Sequence, residues 1–143
     1  MIASEGGNLL LSFGAKVPLD RPSKNKTLSA EERENEGELA VFVSCAWRIE
    51  SASDVIAVWS DPISKDTPLP RGAEVIKGAR VVGARASSPA YDLELRFDQG
   101  WILRVFCDQP IFEIGNTNYT VSRMRHVVSI ESGGKLSVES PRL

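Results

Sequence analysis

Few residues in this chain are able to do chemistry. His126, in SRMRHVVSI, is the only histidine, so a mechanism that needs an imidazole as general base must use it. Cys45 and Cys107 are the only thiols, and each lies within an apolar stretch, VFVSCAW or LRVFCD. Because such positions are typical of buried strand residues, we expect two free thiols in the core and no Cys–His catalytic pair. The alternative is a disulfide between neighbouring strands, which a reducing cytoplasm disfavours.

The sequence carries no signature of a metal or cofactor site. Structural zinc needs about four nitrogen or sulfur ligands, and two cysteines with one histidine are too few. The glycines of GARVVGARA are not followed by a helix pattern or a lysine, as a phosphate-binding loop requires. A G-x-S-x-G nucleophile elbow is also missing. We therefore predict no metal, no cofactor and no catalytic residue.

A second hypothesis keeps an active or ligand-binding site open. Asp108 follows a predicted strand, while Arg125 and His126 lie at the start of another. A pocket that brought such groups together would suit a small-molecule-binding domain or a hydrolase. This hypothesis requires His126 to lie in a concave pocket beside a carboxylate.

Tryptophans and arginines are the remaining candidates for binding. They could pack in the core, anchor a protein interface or stack on a nucleic-acid base, since arginine and aromatic residues serve all three roles. The candidate binding residues are Trp47, Arg48, Trp59, Arg96, Arg104, Arg123, Arg125 and His126.

Length and composition restrict the kind of protein. A chain of 143 residues, 42% hydrophobic and 25% charged, fits one soluble globular domain. The net charge of −2 argues against nucleic acid as a partner. No apolar run approaches the ~20 residues that cross a bilayer, and MIASEGGNLLLSFGAK lacks the basic start of a signal peptide. We expect a cytoplasmic protein that binds no membrane.

The elements that must position these residues are strands. In YDLELRFDQGWILRVF, residues 91–106, apolar and polar side chains alternate on both sides of Asp98-Gln99-Gly100, which predicts a bulged hairpin with an interior second strand. The segment 38–50, apolar on both alternating sets, predicts one central strand that pairs with 55–60. Gly83 predicts a bulge, and AEVIKG predicts one helical turn.

The stretch at about 14–37 predicts a polar, mobile loop, since Gly14 stops the first strand and few of its residues suit a core. Within it Ser29 and Glu32 have the spacing of a capping box, and Gly37 would end the short helix. The acidic run Glu31, Glu32, Glu34, Glu36 and Glu38 predicts a solvated face, with a docking surface for a basic partner as the alternative.

Eight or nine short antiparallel strands with at most one or two helical turns predict a mainly β fold, a β-sandwich or a partly open barrel, in a single domain spanning 1–143. The run GARVVGARASSPAYDLELRFDQGWILRVFCD, with the upstream VSCAWRIE, resembles small bacterial β-rich proteins of unknown function, some of them similar to immunity proteins of polymorphic toxin systems. This resemblance implies a role as a toxin-neutralising partner, and it carries no catalytic residue over to this chain.

The leading hypothesis is therefore a non-enzymatic module that binds another protein or its own copy, for instance as a homodimer, through a sheet face or edge. Glutamates 31–38 would steer its approach to a basic surface. Oligonucleotide binding on a curved sheet is a third hypothesis, for which we expect little support.

Overall fold

The fold is a β-sandwich, seen in a computed structural model that describes residues 2–5, 7–24, 26, 28–63, 69–111, 115–124 and 126–140. These residues form eleven strands: β1 (Ile2–Glu5), β2 (Asn8–Pro18), β3 (Asn35–Val43), β4 (Ala46–Glu50), β5 (Val55–Val58), β6 (Val81–Ser87), β7 (Asp92–Phe97), β8 (Ile102–Phe106), β9 (Thr117–Arg123), β10 (His126–Glu131) and β11 (Lys135–Glu139). One short helix, α1 (Ala30–Glu34), and 3-10 turns at Arg71–Ile76 and Ser132–Gly134 complete the elements. The prediction of a mainly β protein is confirmed.

The strands form two antiparallel sheets. Sheet A has the order β1-β2-β3-β9-β10-β11, and sheet B has the order β5-β4-β8-β7-β6. Alternation places one side of each strand inward, where Val43 and Tyr119 of sheet A share a core with Trp47 and Leu103 of sheet B. β8 lies at the centre of sheet B, which confirms the interior position predicted for it.

The chain crosses between the sheets at Ser44 and Cys45, so the prediction of one strand over 38–50 is wrong. β3 belongs to sheet A and β4 to sheet B. The Ser44 amide donates to the Asn118 carbonyl at 2.8 Å, and the Gln109 side chain donates to the Ser44 carbonyl. These contacts hold the crossover through residues far away in sequence, which a local pattern does not contain.

The hairpins follow the sequence closely. β7 and β8 pair through Leu93–Val105 and Leu95–Leu103, and Gly100 has φ of 85° in the turn. β4 and β5 also pair as predicted. The register of β6 shifts between Val81 and Gly83, which confirms the bulge. The helical turn before Gly78 is the 3-10 turn Arg71–Ile76.

The stretch 14–37 is more ordered in its secondary structure than predicted. β2 continues past Gly14 to Pro18, because a register shift between Phe13 and Lys16 accommodates the glycine. β3 begins at Asn35, so Gly37 lies in a strand and does not end the helix. The Ser29–Glu32 capping box is present, and the helix ends at Glu34. Among the described residues of this stretch, those outside helices and strands lie between Pro18 and α1.

The strand count also exceeds the eight or nine predicted. The sequence pattern does not predict β1, and residues 38–50 contribute to two strands in place of one. The sequence IFEIG, residues 111–115, also predicts a short edge segment, but residues 112–114 of it lie outside the described residues. In the described part of the chain, no helix has the length and apolar character needed to cross a membrane.

Candidate functional site

Three of the predicted binding arginines lie together on the outer face of sheet B. In β4, β7 and β8 the inward positions are apolar, so alternation places Arg48, Arg96 and Arg104 on the opposite side. Arg48 lies opposite Arg104, and Arg104 lies opposite Glu94. The register therefore aligns charged side chains from three strands in one row across the sheet.

Two glutamates join these arginines. Glu50 accepts from Nε of Arg48 at 2.6 Å and from Nε of Arg104 at 2.5 Å. Glu94 accepts from Nε of Arg96 at 2.7 Å and from a terminal nitrogen of Arg104. We call this set the arginine–glutamate ladder; it consists of Arg48, Glu50, Glu94, Arg96 and Arg104.

The ladder is asymmetric in exposure. The side chains of Glu50 and Glu94 are each 15% exposed, whereas those of Arg104, Arg48 and Arg96 are 33%, 40% and 61% exposed. The carboxylates thus lie beneath the guanidinium groups. Solvent and any docking molecule meet mainly positive charge, although the ladder has only one cation in excess.

The electrostatics of the ladder favour the charged forms of Glu50, Glu94 and Arg104. The hydrogen bond from Arg104 lowers the pKa of Glu50, and Arg48 adds to this effect. The hydrogen bond from Arg96 lowers the pKa of Glu94, with Arg104 contributing through its charge. Reciprocally, the hydrogen bond with Glu50 raises the pKa of Arg104. Charge-assisted bonds of this kind fix the guanidinium planes.

Two further side chains extend this face. Phe106 lies beneath Arg48, whose guanidinium carbon is 5.0 Å from the ring centroid, within the range of a cation–π contact. Arg85, on the edge strand β6, lies opposite Glu94, is exposed, and donates from Nε to the Ser87 hydroxyl at 3.3 Å. The sequence analysis did not identify Glu50, Arg85 and Phe106 as candidates. The signal that could have identified them is their position on the polar side of alternating strands.

The two tryptophans among the candidate binding residues lie elsewhere. Trp47 is 1% exposed and its indole nitrogen donates to the Gly7 carbonyl at 2.9 Å, so it is a core residue and not a contact for a partner. Its burial follows from its inward place in β4, between Cys45 and Ile49. Trp59 is 49% exposed, just beyond β5, where it lines a small cavity of about 250 Å³ with Asp108 and Cys45.

His126 and Arg123 are on sheet A, away from the ladder. Arg123 is opposite His126 at the β9–β10 turn and forms an ion pair with Glu38 at 3.6 Å. His126 is exposed and lines an open groove of about 730 Å³ whose walls include Asp20 and Glu36. Arg125 lies outside the described residues.

The thiols and Asp108 are at the other end of the sandwich from His126. Cys45 is buried, and its thiol hydrogen-bonds that of Cys107, which together with burial raises the pKa of Cys45. Asp108 accepts from the Ala46 amide at 3.2 Å. Ser44 binds the β9 backbone at Asn118, five residues from Arg123, which corresponds to about 16 Å along a strand. Asp108 and His126 are therefore not brought together.

The acidic run is partly used within the fold. Glu32 accepts from the Ser29 amide at 2.9 Å in the capping box, and this hydrogen bond lowers its pKa. Glu31 pairs with Lys16, and Glu38 pairs with Arg123. These contacts tie the run to β2 and β9, so part of its charge is neutralised within the fold.

In the described part of the chain, no group of three or more His, Cys, Asp or Glu side chains is arranged to hold a metal ion. No family model matches the chain, and neither the curated proteins nor the solved structures give a significant match.

Proposed function

We propose that this chain is a protein-binding module that engages an acidic surface of another protein through the arginine–glutamate ladder of sheet B. One observation carries the proposal: three guanidinium groups are held over two carboxylates that are less exposed than they are. Arginine is enriched at the centres of protein interfaces. The hydrogen bonds to Glu50 and Glu94 reduce the side-chain entropy that binding would otherwise cost.

An acidic protein surface fits this face better than a nucleic acid does. A phosphate backbone is held by many cations that release counterions, whereas the ladder has a single cation in excess and two carboxylates that repel phosphate. A protein surface offers isolated carboxylates that can accept from the outward N–H groups of Arg48 and Arg96. The resemblance to immunity proteins suggests a toxin domain as one partner of this class.

The test compares poly-L-glutamate with a DNA duplex as probes. Biolayer interferometry should show binding of the wild type to poly-L-glutamate and weaker binding to DNA at equal charge concentration. R96Q and R85Q each remove one exposed guanidinium, and each should weaken binding of poly-L-glutamate about fivefold, or ~1 kcal/mol. Binding should weaken further as salt increases.

R123Q is the matched control, because Arg123 is also exposed and paired with a glutamate but belongs to sheet A. It should bind poly-L-glutamate like the wild type. Equal binding by R96Q and wild type, or stronger binding of DNA than of poly-L-glutamate, would contradict the proposal. Thermal unfolding of each variant establishes that the fold is retained.

A small-molecule site beside His126 is the second candidate. It is supported by the groove in which His126 shares the walls with Asp20 and Glu36, whereas Asp108 lies outside this groove. Since His126 is the only imidazole, its NMR signals report on the groove without assignment. A fragment library that shifts these signals in the wild type, and loses binding in H126A, would support the site; no shift with any fragment would reject it.

A further inference from the structure

We propose that two copies of this chain associate through β11, which pairs with β11 of the second copy in antiparallel orientation about Ser137. β11 is an outer strand of sheet A and is paired on one side, with β10. Pairing on its other side would join two six-stranded sheets into one of twelve strands. This surface is separate from the ladder on sheet B, so the inference does not depend on the proposed function.

The sequence of β11 is complementary to itself. In Lys-Leu-Ser-Val-Glu, antiparallel pairing centred on Ser137 places Lys135 opposite Glu139 of the second copy. The two-fold axis repeats this ion pair at the other end of the strand. Opposite charges directly across antiparallel strands stabilise the pair, and like charges destabilise it. The charges of β11 thus favour a second copy in one orientation and register.

The apolar residues of β11 are exposed on one side. Leu136 is opposite Ile130 and Val138 is opposite Val128, so both lie on the inward side of sheet A. Ile130 is buried, but Leu136 is 51% and Val138 is 61% exposed, because sheet B does not extend over this edge. In the symmetric pair, Leu136 would lie opposite Val138 of the second copy, and the four side chains would cover one another.

β11 is also less protected than the edges of sheet B. Proteins blunt edge strands with bulges, short strands, prolines or charges, and the two charges of β11, Lys135 and Glu139, are of opposite sign and so match a second copy. The pairing of β5 shifts between Ile49 and Glu50, and that of β6 shifts between Val81 and Gly83. The five pairs between β10 and β11 run without a shift. An edge with a regular register is the form that accepts another strand.

The charges already near β11 permit this pairing. Lys135 contacts Glu131 of β10 at 3.7 Å, with the lysine side chain 77% exposed. This exposed pair is weak, and the ammonium group can contact a second carboxylate. A five-residue edge buries less than the ~1,200 Å² typical of stable complexes, so we expect a dissociation constant in the micromolar range.

Charge swaps test the register directly. Sedimentation of the wild type at concentrations from about 1 to about 500 µM should show the mass rising from 15.6 kDa towards twice that value. K135E sets carboxylates against Glu139 of the second copy, and E139K sets ammonium groups against Lys135 of the second copy. Each variant alone should weaken association at least about tenfold.

Mixing the two variants supplies the decisive result. An equimolar mixture of K135E and E139K restores both opposite-charge pairs, and so does the double variant K135E/E139K with itself. Both should recover the association of the wild type, while K77E, an exposed lysine variant off this strand, should associate as the wild type does.

A wild type that stays at 15.6 kDa throughout, or charge variants that associate as it does, would overturn the inference. So would a mixture that fails to recover while the thermal unfolding of both variants is unchanged. Binding of poly-L-glutamate by R96Q is measured on a different face, so each proposal can fail without the other.

Discussion

Arg48 lies directly opposite Arg104 across β4 and β8, with both guanidinium groups on the outer side of sheet B. Like charges in this position destabilise a sheet. Glu50 offsets the repulsion because its carboxylate accepts from Nε of both arginines. The stability of the ladder therefore depends on a glutamate that two of its three arginines share.

Removal of that shared carboxylate should destabilise the fold at neutral pH. E50Q removes the carboxylate that Arg48 and Arg104 share, so that only Glu94, which binds Arg104, still offsets their repulsion. We expect a loss of about 1 kcal/mol in the free energy of unfolding. The pKa of Glu50 is lowered in the fold, so its contribution is present above the ordinary value of 4.5 and is lost as pH falls through the folded pKa. Urea unfolding at neutral and acidic pH measures this.

The difference between E50Q and wild type should consequently shrink in acid. E74Q is the control, since Glu74 is exposed on the 3-10 turn away from the ladder, and it should match the wild type at both pH values. A difference between E50Q and wild type that stays constant from neutral to acidic pH would contradict the role of the ionised carboxylate.

Substitution of Gly37 should lower the stability of the fold, whereas substitution of Gly83 should have little effect on it. A Cβ at Gly37 would lie 2.5 Å from the Phe13 carbonyl oxygen and 2.6 Å from the Phe13 nitrogen, which are backbone atoms of β2. G37A should lower the free energy of unfolding by about 1–3 kcal/mol, because the paired strands must move apart. A Cβ at Gly83 would meet only the Arg96 side chain, at 3.7 Å.

G83A is the matched control for G37A, since both glycines lie in strands next to a register shift. Chemical denaturation should place G83A within about 0.5 kcal/mol of the wild type. Equal destabilisation by the two substitutions would show that loss of a strand glycine, and not the close approach to Phe13, is responsible.

Sequence patterns predicted the hairpins because their information is local. The alternation of Leu93 and Leu95 with charged residues, together with Gly100 in the turn, determines β7 and β8 within sixteen residues. The Ser29–Glu32 capping box is equally local. Each of these features lies on one short segment, where neighbours in sequence are also neighbours in space.

The crossover between the sheets was missed because the apolar period continues through it. Val43, Cys45 and Trp47 are all buried at alternate positions, so the pattern of one strand is preserved while the chain changes sheet. The break is determined by Asn118 and Gln109, which contact Ser44 from more than sixty residues away.

For a similar reason, the sequence predicts the arginines of the ladder as candidates but not their association. Arg48, Arg96 and Arg104 could be recognised as candidates one at a time. Their association depends on the register of β4 against β8, strands separated by 54 positions at Glu50 and Arg104. Register over that distance is set by core packing of inward residues, and the sequence of either strand alone does not contain it.

Tyr119 should make the fold sensitive to alkaline pH. Burial raises the pKa of Tyr119 to about 12 from an ordinary value of 10.0, so the unfolded chain ionises first and stability is lost as pH rises above 10. Y119F cannot ionise, but it loses the hydrogen bond to the Tyr91 carbonyl at 2.8 Å. At neutral pH it should be less stable than the wild type by about 1 kcal/mol.

The lower stability of Y119F relative to the wild type should disappear at alkaline pH. At about pH 11 the ionisation of unfolded Tyr119 costs the wild type roughly 1 kcal/mol, and Y119F is spared this loss. Y91F is the control, because the Tyr91 contact uses its backbone carbonyl, and it should follow the pH profile of the wild type. Parallel profiles for Y119F and wild type would contradict the burial effect.

The two thiols should differ in reactivity although they are in contact. The thiolate is the reactive form, and Cys45 is buried with its pKa raised by the Cys107 hydrogen bond and by burial. Cys107 is partly exposed. In the folded protein at mildly alkaline pH, a chromogenic disulfide reagent should therefore modify one thiol per chain quickly, and unfolding in guanidinium should release the second.

C107S should leave no fast-reacting thiol, whereas C45A should keep one. Fast reaction of both cysteines, or of Cys45 in C107S, would contradict this prediction. It would show that the crossover between β3 and β4 opens to solvent on the timescale of the assay, although the contacts of Ser44 and the burial of Trp47 oppose such opening.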